Sequence, residues 1–352
     1  MSISSVKRAP ARPQSPASDL SGPYLLFLGA TTIPGYAKTA FGLRDWAPDR
    51  CVGEWSLPGG TVSTGLARLS PADAWAQSAR ALVIGVATPG GLIPDSWMPT
   101  LLDALAVGLD IVSGMHARLG DIPALRVAAE RHGRRLIDIR TPPADIVVAS
   151  GIRRTGRRLL TVGTDCALGK KYTALALAKA LRGRGVDATF RATGQTGIMI
   201  AGSGIPIDAV VADFVSGAAE MLTPAADPDH LDVIEGQGSL FHPAYAPVSL
   251  GLLHGSQPDV FIVCHEPGRT HILGHPDTAL PTIAEVIAQT VALGRLTNPG
   301  IRCAGVSLNT GGMTAADADH VIAETARELG LPVADPLRGG PALERLLDAC
   351  IA

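Results

Sequence analysis

Lysine is scarce in this chain. Of thirty basic residues only five are lysines, Lys7, Lys38, Lys170, Lys171 and Lys179, and the rest are arginine. Thirty-two acidic residues bring the net charge to −2, so no surface for a nucleic acid or other polyanion is implied. Five cysteines, an odd number with no C-x-x-C pairing, exclude a disulfide framework and read as reduced thiols of a cytoplasmic protein. No apolar run is long enough to span a bilayer, so no membrane partner is expected. Residues 1–22, rich in Ser, Pro, Ala and Arg, lack the apolar segment of a signal peptide and are expected to form a disordered tail.

At 352 residues and 46% hydrophobic composition, the chain can build two domains with separate cores. Its organising stretch is residues 158–173, RLLTVGTDCALGKKYT, where two of the five lysines stand side by side. Residues 159–162 read as a buried strand and 170–181 as a helix. Between them lies a loop of Gly163, Thr164, Asp165, Cys166, Ala167, Leu168 and Gly169, closing on Lys170, Lys171 and Tyr172. A strand, glycine loop and helix start gather backbone N–H groups, the positive helix end and an ammonium in one volume, which suits a phosphate chain.

The usual phosphate loop has four residues between its glycines and then Lys-Ser/Thr. Here five residues separate Gly163 from Gly169, and Lys171 stands where a hydroxyl would hold Mg²⁺. Thr173 cannot replace that hydroxyl, because two further helical residues rotate a side chain by roughly 200°. The loop should bind phosphates better than it handles Mg²⁺ with ATP. Cys166, near a helix start that can lower a thiol's pKa, also opens an acyl-cysteine route.

Ahead of this loop, strands are expected over residues 24–28, 80–87, 110–113 and 135–139, with helices over 97–107 and 122–132. Such alternation argues for a parallel sheet with helices on both faces. The first strand ends in GATTIPG, which is not G-x-G-x-x-G, so the expectation is a Rossmann-like shape without a dinucleotide site. Lys38, Arg44, Asp45 and His116 read as solvated or satisfied polar residues. Pro142, Pro143 and the segment 151–156 mark the join, giving domains over residues 23–150 and 151–352.

After the loop, a strand over 187–191 runs into a polar turn ending in Arg191, Thr193, Gln195 and Thr196. A helix over 208–222 would put Asp213 and Glu220 on one face. The strand 231–235 ends in Glu235, where an acid facing a phosphate loop serves as metal holder or proton acceptor. The strand 259–264 is followed by His265 and the loop bearing Arg269, within a run of five histidines between His242 and His275. Only His271 and His275 stand at the i, i+4 spacing of a zinc enzyme, and they fall in a loop holding Gly274 and Pro276, so no metal site is assigned. Asn309 closes a strand over 305–308 and can both donate and accept, as a purine edge requires. Helices over 281–293 and 315–329, a short strand through Val333 and a last helix complete the chain.

GTDCALGKK resembles the GTD-x-x-x-GK-T loop of dethiobiotin synthetase, FRATGQTG its Y-K-P-V-Q-T-G segment, and VIEGQGS its V-E-G-A-G-G. GVSLN is similar to the G-V-x-L-N of the cobyrinic acid amidases. Over nearly all of the chain after residue 22, with DFVSGAAE, EGQGSLFHPAY and GLLHGSQPD, the resemblance is to the family of D-glutamate N-acetyltransferases. It implies two three-layer α/β/α domains, Rossmann-like and P-loop NTPase-like, acetyl-CoA as co-substrate, an acidic amino acid as acceptor and a homo-oligomer. In those terms residues 163–172 and Asn309 hold the nucleotide, Glu235 or His265 is the base, Gln195 serves the oxyanion, and Arg191, Thr193, Thr196 and Arg269 bind the acceptor. Two alternatives remain: an Mg²⁺·ATP-dependent kinase or ligase acting on a small carboxylate, and a non-catalytic nucleotide sensor.

Overall fold

The computed structural model of the protein describes residue 20 and residues 22–352. The tail expected over 1–22 therefore lies outside the described residues apart from Leu20 and Gly22. Five short strands, β1 (Tyr24–Gly29), β2 (Cys51–Ser56), β3 (Ala81–Ile84), β4 (Asp110–Ser113) and β5 (Leu136–Asp138), form one parallel sheet in the order β2-β1-β3-β4-β5. Every residue of β1, β3 and β4 is buried, as helices on both faces of a parallel sheet demand. Helices α1 (Lys38–Trp46), α2 (Pro71–Ala76), α3 (Met98–Val107) and α4 (Pro123–His132) connect them. The connection from β1 runs outward to β2 and that from β3 runs outward the other way to β4, so a crevice opens at the carboxyl ends of β1 and β3.

The second sheet has six parallel strands, with β6 (Arg157–Gly163), β7 (Ala188–Arg191), β8 (Leu231–Ile234), β9 (Val260–His265), β12 (Arg302–Leu308) and β13 (Val333–Ala334) in the order β13-β12-β9-β6-β8-β7. A separate antiparallel hairpin, β10 (His271–Ile272) and β11 (His275–Ala279), follows β9. Around them lie α5 (Lys170–Gly183), α6 (Gln195–Ala201), α7 (Val215–Leu222), α8 (Ala246–Ser256), α9 (Ile283–Gly294), α10 (Ala315–Leu329) and α11 (Gly340–Ile351). One apolar core runs from the first sheet, through Ile198 and Met199 of α6, to Leu159, Val233 and Ile262 on one face of the second. Leu160, Ile234 and Val263 face a second core on the other side. The halves are thus packed together, and Thr39 of α1 hydrogen-bonds Thr196 of α6 at 2.9 Å across the join. Among the described residues, no helix is long and apolar enough to cross a membrane.

Several elements differ from expectation. The strand β2 was hidden because CVGEWS carries Gly53 and a charge in its middle; Glu54 is buried there, accepting from Ser63 Oγ at 2.5 Å and Thr64 N at 2.6 Å. The polar turn expected after β7 becomes α6 from Gln195 onward, because Ile198 and Met199 gain a buried position against the first sheet. The helix expected over 208–222 shrinks to α7, with short 3-10 turns at Ile207–Ala209 and Ala212–Phe214 before it. Asp213 and Glu220 therefore share no helix face. Glu220 instead fastens the connecting segment, accepting from Ser150 N and Gly151 N at 2.8 Å each.

Candidate active site

The strand β6 delivers the loop 164–169 to the start of α5. Ala167 (φ 57°) and Gly169 (φ 103°) take left-handed conformations that curl the loop back on itself. Asp165 is fully buried beneath it: Oδ1 accepts from Cys166 N at 2.6 Å, and Oδ2 from Leu273 N at 2.7 Å and Arg269 Nη1 at 2.9 Å. Thr164 hydrogen-bonds His265 Nδ1 at 3.0 Å, and Ser239 Oγ donates to the Thr164 carbonyl at 3.2 Å. Lys170 folds inward, its Nζ donating to the Asp165 carbonyl at 2.7 Å, and burial lowers its pKa. The loop is held from three sides, so it is ordered before any ligand arrives. Thr173 hydrogen-bonds Ser307 Oγ at 2.8 Å.

Lys171 does something different. Its Nζ lies 3.1 Å from where a β-carbon on Gly42 would stand, so this glycine of α1 makes room for the ammonium. Burial pushes Lys171 down to about 8, against the pull of the Glu235 carboxylate, with Lys38 pushing the same way as burial. Glu235 is 4% exposed, and its Oε2 accepts from Thr193 N at 3.0 Å and Gly194 N at 3.1 Å. Gly197 is needed beside it, since a β-carbon there would lie 2.2 Å from Oε2. Oε1 has no hydrogen-bond partner among the described residues. Burial raises the Glu235 pKa, opposed chiefly by Lys171.

These groups line a cavity of about 620 Å³ between the two sheets' strand ends. Of the residues expected in the site, Cys166 to Tyr172, Gln195, Thr196, Glu235 and Asn309 all line it. Gly163, Thr164 and Asp165 lie under the loop, and Thr193 sits behind Glu235, donating through Oγ1 to its carbonyl at 2.7 Å. Arg191, Arg269 and His265 are not brought to the cavity wall. Arg191 Nε donates to Asp232 at 2.6 Å, and Arg269 Nε to Glu266 at 2.8 Å while its Nη1 holds Asp165. Half-buried guanidinium groups find carboxylates of their own, which a linear reading cannot see. His265 is lowered in pKa by burial and then by Arg269. Burial raises the Cys166 thiol, the opposite of what an acyl-cysteine route needs.

Residues not assigned to the site from sequence also line the cavity, among them Tyr36 and Lys38 from the first half and Gln237 after β8. The rarity of lysine was the signal for Lys38. Asp165, Cys166 and His242 bring ligand atoms within 4.8 Å of one another. Both Asp165 oxygens are engaged, however, and His242 Nδ1 accepts from Ala244 N at 3.1 Å, which places the ring proton on Nε2.

The chain matches two family descriptions, a Rossmann-like domain of unknown function (DUF1611, N-terminal) over residues 55–142 and a P-loop domain of unknown function (DUF1611, C-terminal) over residues 147–347. It is similar to a D-glutamate N-acetyltransferase of Tritonibacter scottomollicae, 47% identical over 94% of this chain and 98% of that protein. A D-glutamate N-acetyltransferase of a Pseudoalteromonas species is 46% identical over 90% of this chain and 96% of its own. The crystal structure of a DUF1611 family protein from Anabaena variabilis superposes with a TM-score of 0.85, at 34% identity, over 94% of this chain and 99% of that one. With both halves matched and full-length relatives well above the level at which folds are shared, the chain belongs to the DUF1611 family.

Proposed function

We propose that the protein is a cytoplasmic N-acetyltransferase that moves the acetyl group of acetyl-CoA to the amine of an acidic amino acid, D-glutamate. The observation that carries this reading is the cavity in which a phosphate loop without its metal-holding hydroxyl faces a buried carboxylate with one unpartnered oxygen. The names of the two relatives support the same chemistry. Two domains, residues 23–150 and 151–352, close the site between them.

Acetyl-CoA brings a pyrophosphate, which the N–H groups of residues 166–171 and the Lys170 ammonium would receive, and Asn309 would meet the base edge. No phosphoanhydride is cleaved, so the metal-holding hydroxyl that Lys171 replaces is not required. Glu235 Oε1 takes a proton from the acceptor's ammonium, leaving a nitrogen lone pair. That nitrogen bonds to the acetyl carbon as the carbon–sulfur bond breaks, and the second proton it sheds on becoming an amide passes to the departing thiolate. The Gln195 amide and loop N–H groups are donors for the charge that gathers on the carbonyl oxygen.

The test is release of free thiol from acetyl-CoA with D-glutamate, with the N-acetyl product identified by mass. No transfer to D-glutamate or any other amino acid, together with metal-dependent phosphate release from ATP, would sink the proposal.

A further inference from the structure

The two arginines that the sequence offers for acceptor carboxylates are already spent on Asp232, Asp165 and Glu266. The cavity's own cations are lysines: three of the chain's five, Lys38, Lys170 and Lys171, line it. Lys170 donates to the Asp165 carbonyl and belongs to the phosphate loop, so it is assigned to the pyrophosphate. Lys38 and Lys171 make no hydrogen bond or ion pair among the described residues. Lys38 opens α1, and Gly42 lies one turn further along the same helix face. The Lys171 ammonium rests over Gly42, and Lys38 is near enough to oppose its charge, so two lysines from different halves of the chain line one cavity. The bond between Thr39 and Thr196 sets α1 against α6 and fixes that approach.

Two like charges close together repel, and an anion placed between Lys38 and Lys171 relieves both. Beside Lys171 stands Glu235 with its open oxygen. The wall therefore offers two positive groups and one negative one. An acidic amino acid carries the mirror image, two carboxylates and one ammonium.

We propose that Lys38 and Lys171 bind the two carboxylates of the acceptor, while Glu235 receives its ammonium. The inference rests on the acetyltransferase reading and gives it a specificity: the N-terminal domain, through Lys38, selects a dicarboxylic amino acid. An acceptor whose side chain ends in an amide leaves one lysine uncompensated and reacts more slowly.

The experiment is steady-state kinetics of the wild-type protein, Lys38→Met and Lys38→Arg, with D-glutamate and D-glutamine as acceptors. Lys38 is exposed at the start of α1, so its replacement leaves folding intact. Lys38→Met is expected to raise KM for D-glutamate about 10- to 100-fold, as loss of one charged hydrogen bond does. KM for acetyl-CoA stays as in the wild type, the preference for D-glutamate over D-glutamine collapses, and Lys38→Arg recovers part of it. A rise in KM for acetyl-CoA with acceptor preference intact would assign Lys38 to the phosphates and overturn the inference. So would a variant with wild-type constants. A wild-type enzyme that acetylates only neutral amino acids overturns the inference and leaves acetyl transfer standing. If the wild type transfers no acetyl group, that reading fails instead, and calorimetric titration of D-glutamate into wild type and Lys38→Met decides the inference. Tight binding lost in the variant sustains it, and equal or absent binding overturns it.

Discussion

The two halves of the molecule each end a central strand in a loop that leads to a helix, and they prepare those loops differently. After β6, the loop 164–169 is fastened by Arg269, Leu273 N, Ser239 and its own Lys170. After β1, residues 31–36 are largely exposed, and their side-chain bonding is limited to Thr31 with Ile33. The first is a loop fixed in advance, as the proposed receptor for acetyl-CoA requires. The second is a wall that contributes individual side chains, Tyr36 and Lys38, to a cavity whose shape the other half sets. Order is concentrated where a multiply charged, invariant group would sit, and a single lysine is placed where the variable partner would.

The comparison breaks most visibly at Glu235, which belongs to the ordered half. Glu235→Gln keeps the hydrogen-bonding shape but cannot take a proton, so turnover should fall about 10²- to 10⁴-fold with acetyl-CoA affinity unchanged. Kinetics paired with calorimetry separates the two effects. Lys170→Met tests the receptor itself: acetyl-CoA affinity should fall by about 1.5–3 kcal/mol, a factor of roughly ten to a hundred and fifty in Kd. Calorimetry reads this directly. Gly42→Ala tests the join between the halves, because the new methyl would lie 2.7 Å from Thr196 Cγ2 and 3.1 Å from Lys171 Nζ. Overpacking of that kind should cost about 1–3 kcal/mol in denaturant unfolding.

Two smaller effects sharpen the account. Because Lys171 stands at the metal-holding position and Thr173 is tied to Ser307, EDTA should leave turnover unchanged. The pH profile of kcat/KM should be bell-shaped. Glu235, raised by burial, acts as a base only once deprotonated, which gives the rising limb. Lys171, pushed down to about 8, loses its charge above that pH and gives the falling limb. Glu235→Gln should abolish the rising limb and Lys171→Met the falling one.

Much of this was legible in the sequence where one rule acted alone. Buried strands such as β1 and β6 announce themselves as apolar runs, and α10 begins at Ala315 and ends at Leu329 as its periodicity and following Gly330 require. The glycine loop and Glu235 were legible because strand-end position and residue type agree. What escaped depended on contacts distant in sequence. Glu54 hides inside β2 because Ser63 and Thr64 satisfy it. Arg191 and Arg269 looked like free forks because Asp232 and Asp165 lie 41 and 104 residues away. Lys38 looked like a solvated lysine because nothing local shows that it lines a cavity with residues of the second half.

The central claim is that the loop receives acetyl-CoA without a metal. Isothermal titration of acetyl-CoA and of ATP into the full chain, each with and without Mg²⁺, tests it most directly. The account predicts acetyl-CoA binding of the same strength in both conditions. Binding of ATP only with Mg²⁺, and no heat from acetyl-CoA in either condition, would contradict it.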